Sequence, residues 1–256
     1  MVYPIYYYAI RAIWLHPTKF KAAIYNVVLW LDITRVYVIR FYDFLFGGSS
    51  LIPDYIVSPL TIAPEKKHVS LLVRHSIRFP INVPEETLIA RLTPEGVQLA
   101  KEFGAWLVQR RHLYRVMASP VGRCVDTGRA VIQGAGWPNP VVVDQKLGFP
   151  FVENGWQKVT NKNFLAEEIP QEAFKVLNFL LEDTGHDSGL NIHITHDGNI
   201  AFMAMALLGE PITEENWPDY LEGMAFWREE EAVRIAWRGK VYELKKQGVL
   251  AIDLVQ

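Results

Sequence analysis

The chain has 256 residues, half of them hydrophobic, and a formal net charge of −2. That is enough apolar side chain for one substantial core with an added element. The near-neutral balance, with no Lys/Arg run and no interleaving of aromatic and basic residues, argues against a nucleic-acid partner. The single cysteine, Cys124, excludes an intrachain disulfide and suits a reducing compartment, so a cytoplasmic setting is expected.

The first sixty residues are dense in aromatics, among them Tyr6, Tyr7, Tyr8, Trp14, Trp30, Phe41 and Phe44. Arg11, Lys19, Lys21, Arg35 and Arg40 outnumber Asp32, Asp43 and Asp54 there. Pro17 can open a helix and Gly47-Gly48 can close it, a span of about 29 residues or roughly 43 Å at 1.5 Å per residue. The β-branched stretch Ile33 to Ile39 keeps a strand as the alternative. No basic start, apolar run and small-residue cleavage site occur in order, so a secretory signal is not expected. Asp32, Arg35, Arg40 and Asp43 interrupt any window long enough to span a bilayer. A helix apolar on nearly every side must be covered by something. Three covers stay open: packing on the rest of the chain or in a homodimer, a membrane surface with the basic residues toward anionic lipid, or another protein.

Val69 to Val73 reads as a buried strand. It delivers Arg74-His75-Ser76-Ile77-Arg78 at its C-terminal end, an imidazole between two guanidiniums. Guanidiniums are planar, permanently charged and forked, which suits phosphate oxygens. Thr93-Pro94-Glu95 has an N-cap residue, a first-turn proline and an acidic first turn in the right order, predicting a helix to about Arg110. Val97, Ala100, Phe103, Gly104 and Leu107 share one face of it. Leu113 to Met117 reads as a second strand. Pro120 then introduces a helix from Val121 to about Gly134, with Arg123 in its first turn, where the free N–H groups and the helix dipole already favour an anion. Phe164 to Leu181 predicts a helix broken near Pro170. Asn191 to Thr195 is another buried strand, ending in His196-Asp197-Gly198-Asn199, with a helix from Ile200 to Leu208. Val233–Trp237 and Val241–Leu244, flanking Arg238-Gly239-Lys240, read as a hairpin. Three times a strand ends in a basic or catalytic-type residue and then a turn or helix, and in an open α/β sheet ligands bind at the carboxyl ends of the strands.

Together these segments resemble the histidine phosphatase superfamily, which includes phosphoglycerate mutases, acid phosphatases and phytases. The resemblance rests on Arg74-His75-x-x-Arg78, on Arg123 in a Ser-Pro-x-x-Arg context, on Leu92-Thr93-x-x-Gly96 and on the late His196-Asp197, and it covers about residues 66 to 245. Pro80 and His196-Asp197-x-Asn199 are closer to the acid phosphatase branch. Ser76 departs from the glycine usual at that place and adds a hydroxyl beside the nucleophile. The resemblance implies a three-layer α/β/α sandwich with a mostly parallel central sheet. Residues 61–256 would form the catalytic domain, preceded by an aromatic-rich, helical extension over residues 1–60.

The resemblance also implies roles. His75 would attack phosphorus and form a covalent phosphohistidine, splitting hydrolysis into two steps. Arg74, Arg78, Arg123 and His196 would bind the phosphoryl group and neutralise its charge, with no metal and no cofactor. Neighbouring positive charge would keep His75 neutral and nucleophilic. Asp197 would be the general acid and base, with Glu153 as the competing acid, and a pH optimum on the acidic side of neutral follows. The substrate expected is a small phosphomonoester. There is no room for an inserted lid domain, so the cleft should be open or lightly covered by residues 79–91 and 145–165. A phosphomutase using the same intermediate and a non-catalytic phosphate-binding scaffold are the alternatives.

Overall fold

Burial explains why the run after His68 is so apolar: β1 (His68–Arg74) is covered on both faces near the middle of the sheet. The computed structural model describes residues 52–148, 168–182, 188–230, 232–245 and 250–253. The extension up to residue 51 and Glu153 lie outside these. The chain divides into two compact units, one of residues 1–53 and 80–87 and the other of residues 54–79 and 88–256. In the first, a 3-10 turn runs over Pro84–Thr87, and the Asn82 N–H donates to the Glu86 carboxylate at 2.7 Å.

In the second unit the helices are α1 (Asp54–Ile62), α2 (Pro94–Val108), α3 (Gly122–Ala135), α4 (Glu168–Leu180) and α5 (Asp197–Leu208). After β1 come β2 (Leu113–Ala118), β3 (Val142–Val143), β4 (Gly189–Thr195), β5 (Gly223–Glu229), β6 (Ala232–Trp237), β7 (Lys240–Lys245) and β8 (Leu250–Asp253). Among the described residues these eight strands form one sheet in the order β3-β2-β4-β1-β5-β6-β7-β8. The sheet is mixed, which corrects the expectation of a mostly parallel one. β3, β2, β4 and β1 are parallel, whereas the pairings from β1 to β5 and on to β8 are antiparallel. The cause is the connection at 209–222. It climbs back to the edge from which α5 started, so β5 enters the sheet running downward, with Gly223 opposite Val73. Hairpins can then continue the sheet. The predicted hairpin is β6–β7, closed by Arg238 and Gly239 with φ of 46° and 77°.

Helices cover both faces. Adjacent residues of a strand point to opposite sides, and Gly128 of α3 lies against Ile194, while Phe179 of α4 meets the His193 ring edge-on. α2 packs on α3 and α4 packs on α5. Right-handed crossovers between parallel strands require this division. The core under α4 and α5 includes Leu72, Met117, Leu177, Met203, Phe226 and Tyr242.

Helix boundaries follow local chemistry. Thr93 caps α2, accepting the Gly96 N–H at 3.1 Å, with Pro94 in the first turn. α4 is not broken at Pro170: the proline falls in its first turn, where the missing N–H has no intrahelical partner to lose. α5 begins at Asp197 rather than Ile200, which puts Asp197 in a first turn, where negative charge is favoured. α1 straddles the expected boundary at residue 60 and packs on β5 and β6. The buried Arg111 donates to the Leu60 carbonyl in the last turn of α1 and to the Ala63 and Pro64 carbonyls just beyond it.

Candidate active site

β1, β2 and β4 run in the same direction, so their C-terminal ends share one edge of the sheet. Arg74 to Arg78 follow β1, Ser119 and Arg123 follow β2, and His196 and Asp197 follow β4. Arg74, His75, Arg78, Arg123 and His196 are all buried polar residues there. The Asp197 side chain remains 31% exposed.

The loop that carries His75 is clamped by the start of α2. The Thr93 N–H donates to the Ile77 carbonyl at 3.0 Å. A Cβ on Gly96 would stand 2.1 Å from that same carbonyl oxygen, so only glycine lets the helix approach this closely. The Ser76 hydroxyl donates to the Gly96 carbonyl at 2.7 Å. The Ser76 N–H donates to Thr127 Oγ1 at 3.0 Å, and that hydroxyl donates to the Arg123 carbonyl at 2.8 Å. The serine therefore ties the loop to α2, and Thr127 ties it to α3.

The tautomers of the two site histidines follow from their partners. His75 Nδ1 lies 2.8 Å from the Ser76 carbonyl, which can only accept, so Nδ1 carries the proton. Its Nε2 then holds a lone pair, and it accepts from Arg123 Nε at 2.9 Å. Arg123 Nη2 lies 3.1 Å from His196 Nδ1, which makes Nδ1 the acceptor and leaves Nε2–H to donate to Ser119 Oγ at 2.9 Å. Burial first, and then the charges of Arg74 and Arg123, hold the pKa of His75 well below its ordinary value. Burial and Arg123 lower His196 to about 3. Both rings are neutral at physiological pH.

Arg74 Nη2 pairs with Asp197 Oδ2 at 3.0 Å, Nη1 donates to the Pro218 carbonyl at 2.6 Å, and the guanidinium lies 4.0 Å from the centre of the Tyr220 ring. Burial pushes the Asp197 carboxyl up, but Arg74, His75, the Gly198 N–H and the Trp217 side chain outweigh it and hold it below the usual carboxylate range. Burial first, and then the neighbouring Arg78 and Arg74 charges, lower Arg123. Arg78 donates to the Phe79 carbonyl at 2.9 Å. The Arg74 and Arg123 charges thus bear on a neutral imidazole whose Nε2 accepts from Arg123, and the Arg78 charge bears on Arg123 and His196, an arrangement suited to a tetrahedral dianion.

Sequence reasoning missed the supports. Trp217, Pro218 and Tyr220 come from the irregular connection before β5, and no spacing announces them. That connection is held by Glu222, which is buried. Arg238 Nε donates to Glu222 Oε1 at 2.6 Å, and the Asp219 N–H donates to Oε2 at 2.7 Å. Tyr55 of α1 donates to the Tyr220 carbonyl at 3.2 Å. Thr127 could have been found, since it lies one helical turn after Arg123 and shares its face. Asn199 donates to Thr195 Oγ1 at 2.7 Å and to the Gly148 carbonyl at 2.8 Å, an anchoring role. Cys124 is buried, and burial pushes its thiol up to about 12. His193 faces α4, away from the α3 side of the sheet. Among the described residues no group of three His, Cys, Asp or Glu could hold a metal ion.

No family model matches the sequence, and no curated protein matches it. Solved structures show similarity. Ecdysone phosphate phosphatase from Bombix mori, in complex with tungstate, is 14% identical over 68% of this chain and 93% of its own, with a TM-score of 0.46. A mutant phosphoserine phosphatase from Entamoeba histolytica, in complex with phosphoserine, is 14% identical over 69% and 94%, with a TM-score of 0.45. Phosphoglycerate mutase from Bacillus anthracis is 15% identical over 75% and 94%, with a TM-score of 0.44. Scores this low leave the chemistry of the site to be read from its own side chains.

Proposed function

We propose that the chain is a metal-independent phosphomonoester hydrolase of the histidine phosphatase type, closest in its acid to the acid phosphatase branch, and that residues 61–256 carry the activity. The observation that carries this reading is the tautomer of His75. Its Nδ1–H is committed to the Ser76 carbonyl, so the Nε2 lone pair faces Arg123 at 2.9 Å. A phosphoryl group entering the cluster takes the Arg123 N–H onto its own oxygens and frees Nε2. Arg74, Arg78 and Arg123 then carry its negative charge, with His196 beside them.

In the first step Nε2 attacks phosphorus, the P–N bond forms, the P–O bond to the leaving group breaks, and Asp197 gives its proton to the departing oxygen. In the second step the Asp197 carboxylate takes a proton from water. That water displaces His75 and releases inorganic phosphate. Arg74 holds Asp197 ionised before substrate arrives. A bound phosphate dianion competes for Arg74 and raises the carboxyl again, which is how the same group can act as an acid. Its protonated fraction grows as pH falls, so activity belongs on the acidic side.

The test is to quench turnover in alkali, where phosphohistidine survives, and to locate phosphate on His75 by mass spectrometry. His75→Ala should show no phosphoenzyme and lose activity by about a thousandfold or more. Asp197→Asn should cripple esters with poor leaving groups while sparing activated aryl phosphates. If no phosphoenzyme forms and His75→Ala matches the parent, the enzyme reading is wrong. If Glu153→Gln shows the leaving-group pattern instead, the acid is misassigned.

A further inference from the structure

Next to the pocket is a cationic feature that phosphoryl transfer itself does not use. The Arg91 carbonyl accepts the N–H of Phe79, the residue after Arg78, at 2.9 Å. Its guanidinium lies against Gly122, the residue before Arg123. A Cβ at position 122 would stand 2.5 Å from Arg91 Nη1, so the chain leaves this corner clear for the fork. Arg91 is thus set between the chain neighbours of two pocket arginines.

Its orientation is fixed from the other side. Asp126 of α3 grips the fork side-on, 2.8 Å from Nε to Oδ2 and 2.9 Å from Nη2 to Oδ1. The same carboxylate lies 3.6 Å from Arg129 Nη1. Two guanidiniums therefore share one carboxylate, and the trio keeps a net positive charge. The Arg91 and Arg129 side chains are 58% and 68% exposed. As a source of stability an exposed pair of this kind contributes little. As a recognition element it is well formed, because a fork held at two nitrogens presents the third in a set direction to a carboxylate or phosphate oxygen.

Resting on the phosphatase reading, we propose that Arg91, backed by Arg129, is a recognition site for a second oxyanion on the substrate. The preferred substrates would then be phosphomonoesters whose organic part carries a further negative charge.

The test compares phenyl phosphate, which has no second charge, with 3- and 4-carboxyphenyl phosphate and with a phenylene bisphosphate. The quantity read is the ratio of kcat/KM for each charged ester to that for phenyl phosphate, because this ratio cancels effects on the shared chemistry. Arg91→Gln should lower the ratio about tenfold for at least one charged ester, the loss expected for one charge-assisted hydrogen bond. Arg91→Lys should give an intermediate ratio, and high salt should erase much of the parent's preference. The carboxylate and bisphosphate arms show which oxyanion is read. If Arg91→Gln changes all esters by the same factor, the recognition site is wrong while the phosphatase stands. If the parent protein hydrolyses none of them and traps no phosphate on His75, the phosphatase reading itself fails.

Discussion

The two halves of the sheet contribute to the site in different ways. The parallel half, β3-β2-β4-β1, holds the candidate reactive residues, because the ends of β1, β2 and β4 meet at one edge and each carries a short run of them. The antiparallel half, β5 to β8, brings the start of β5 and the end of β6 to the same edge, but neither carries a residue of the arginine–histidine cluster. It contributes through the connection at 209–222, whose Pro218 carbonyl, Trp217 and Tyr220 hold Arg74 and Asp197, and through Arg238 of the β6–β7 turn, which holds Glu222. Reactive groups and the groups that aim them are thus drawn from different kinds of backbone. Strand ends deliver the first, and an irregular loop tied down by a buried carboxylate delivers the second.

The largest effect that would separate the halves is one of pH. All the histidines among the described residues precede β5. His193 is buried under α4, and burial first, then Arg115 and His68, lower it from 6.5 to about 3. A base with a lowered folded pKa binds fewer protons folded than unfolded between those two values. Stability is therefore full above about pH 6.5 and falls as pH drops toward 3, by an amount on the order of several kcal/mol. His75 and His196 act in the same direction. Hydrogen exchange should accelerate in β4 and α4 at pH 5 before it does in β6 and β7. His193→Leu should flatten the fall of Tm between pH 7 and 4.5 by about a third. Parallel Tm curves for the two proteins would mean that acid sensitivity does not reside in the parallel half.

A smaller effect tests the other side. Glu222 is buried and Arg238 is partly exposed, so Glu222→Gln should cost about 2 kcal/mol, less than a fully buried pair. It should also lower kcat about tenfold on esters with poor leaving groups, because Trp217 and Pro218 lose their anchor. Urea unfolding and paired kinetics on activated and unactivated esters would show both. A loss of stability with kcat intact would reduce the antiparallel half to a scaffold with no hand in aiming Asp197.

What could be read from sequence divides along the same line. Arg74-His75-x-x-Arg78, Arg123 and His196-Asp197 are legible because a buried strand is a recognisable apolar run and its end is a defined place. The β6–β7 hairpin is legible from its turn residues. The direction of β5 is not, since it depends on where a loop without periodicity returns. Trp217 and Tyr220 are invisible for the same reason, and Glu222 reads as an ordinary surface carboxylate until Arg238 is seen beside it. The Leu92-Thr93-x-x-Gly96 element is visible as a helix start, but its function as a clamp on Ile77 requires the close approach that only coordinates reveal.

Ser76 marks the finest distinction between delivering a group and aiming it. Read from sequence, its hydroxyl stands beside the nucleophile. In the fold it donates to the Gly96 carbonyl at 2.7 Å, while the Ser76 carbonyl fixes His75 Nδ1 at 2.8 Å. The side chain therefore acts on His75 through its own backbone. Ser76→Ala leaves the Gly96 carbonyl without this donor and should cost about 1 kcal/mol. Ser76→Gly should cost somewhat more, since it adds backbone freedom to the same loss. If the hydroxyl aims the ring, both variants should slow formation of the phosphoenzyme by roughly threefold to tenfold with KM nearly unchanged, because a nucleophile held less firmly loses orientation rather than substrate affinity. Single-turnover kinetics with an activated aryl phosphate isolates that step. Were the hydroxyl instead to contact substrate, KM would rise and the phosphorylation rate at saturation would stay near the parent value, and Ser76 would then belong with the groups that the parallel strands deliver rather than with those that aim them.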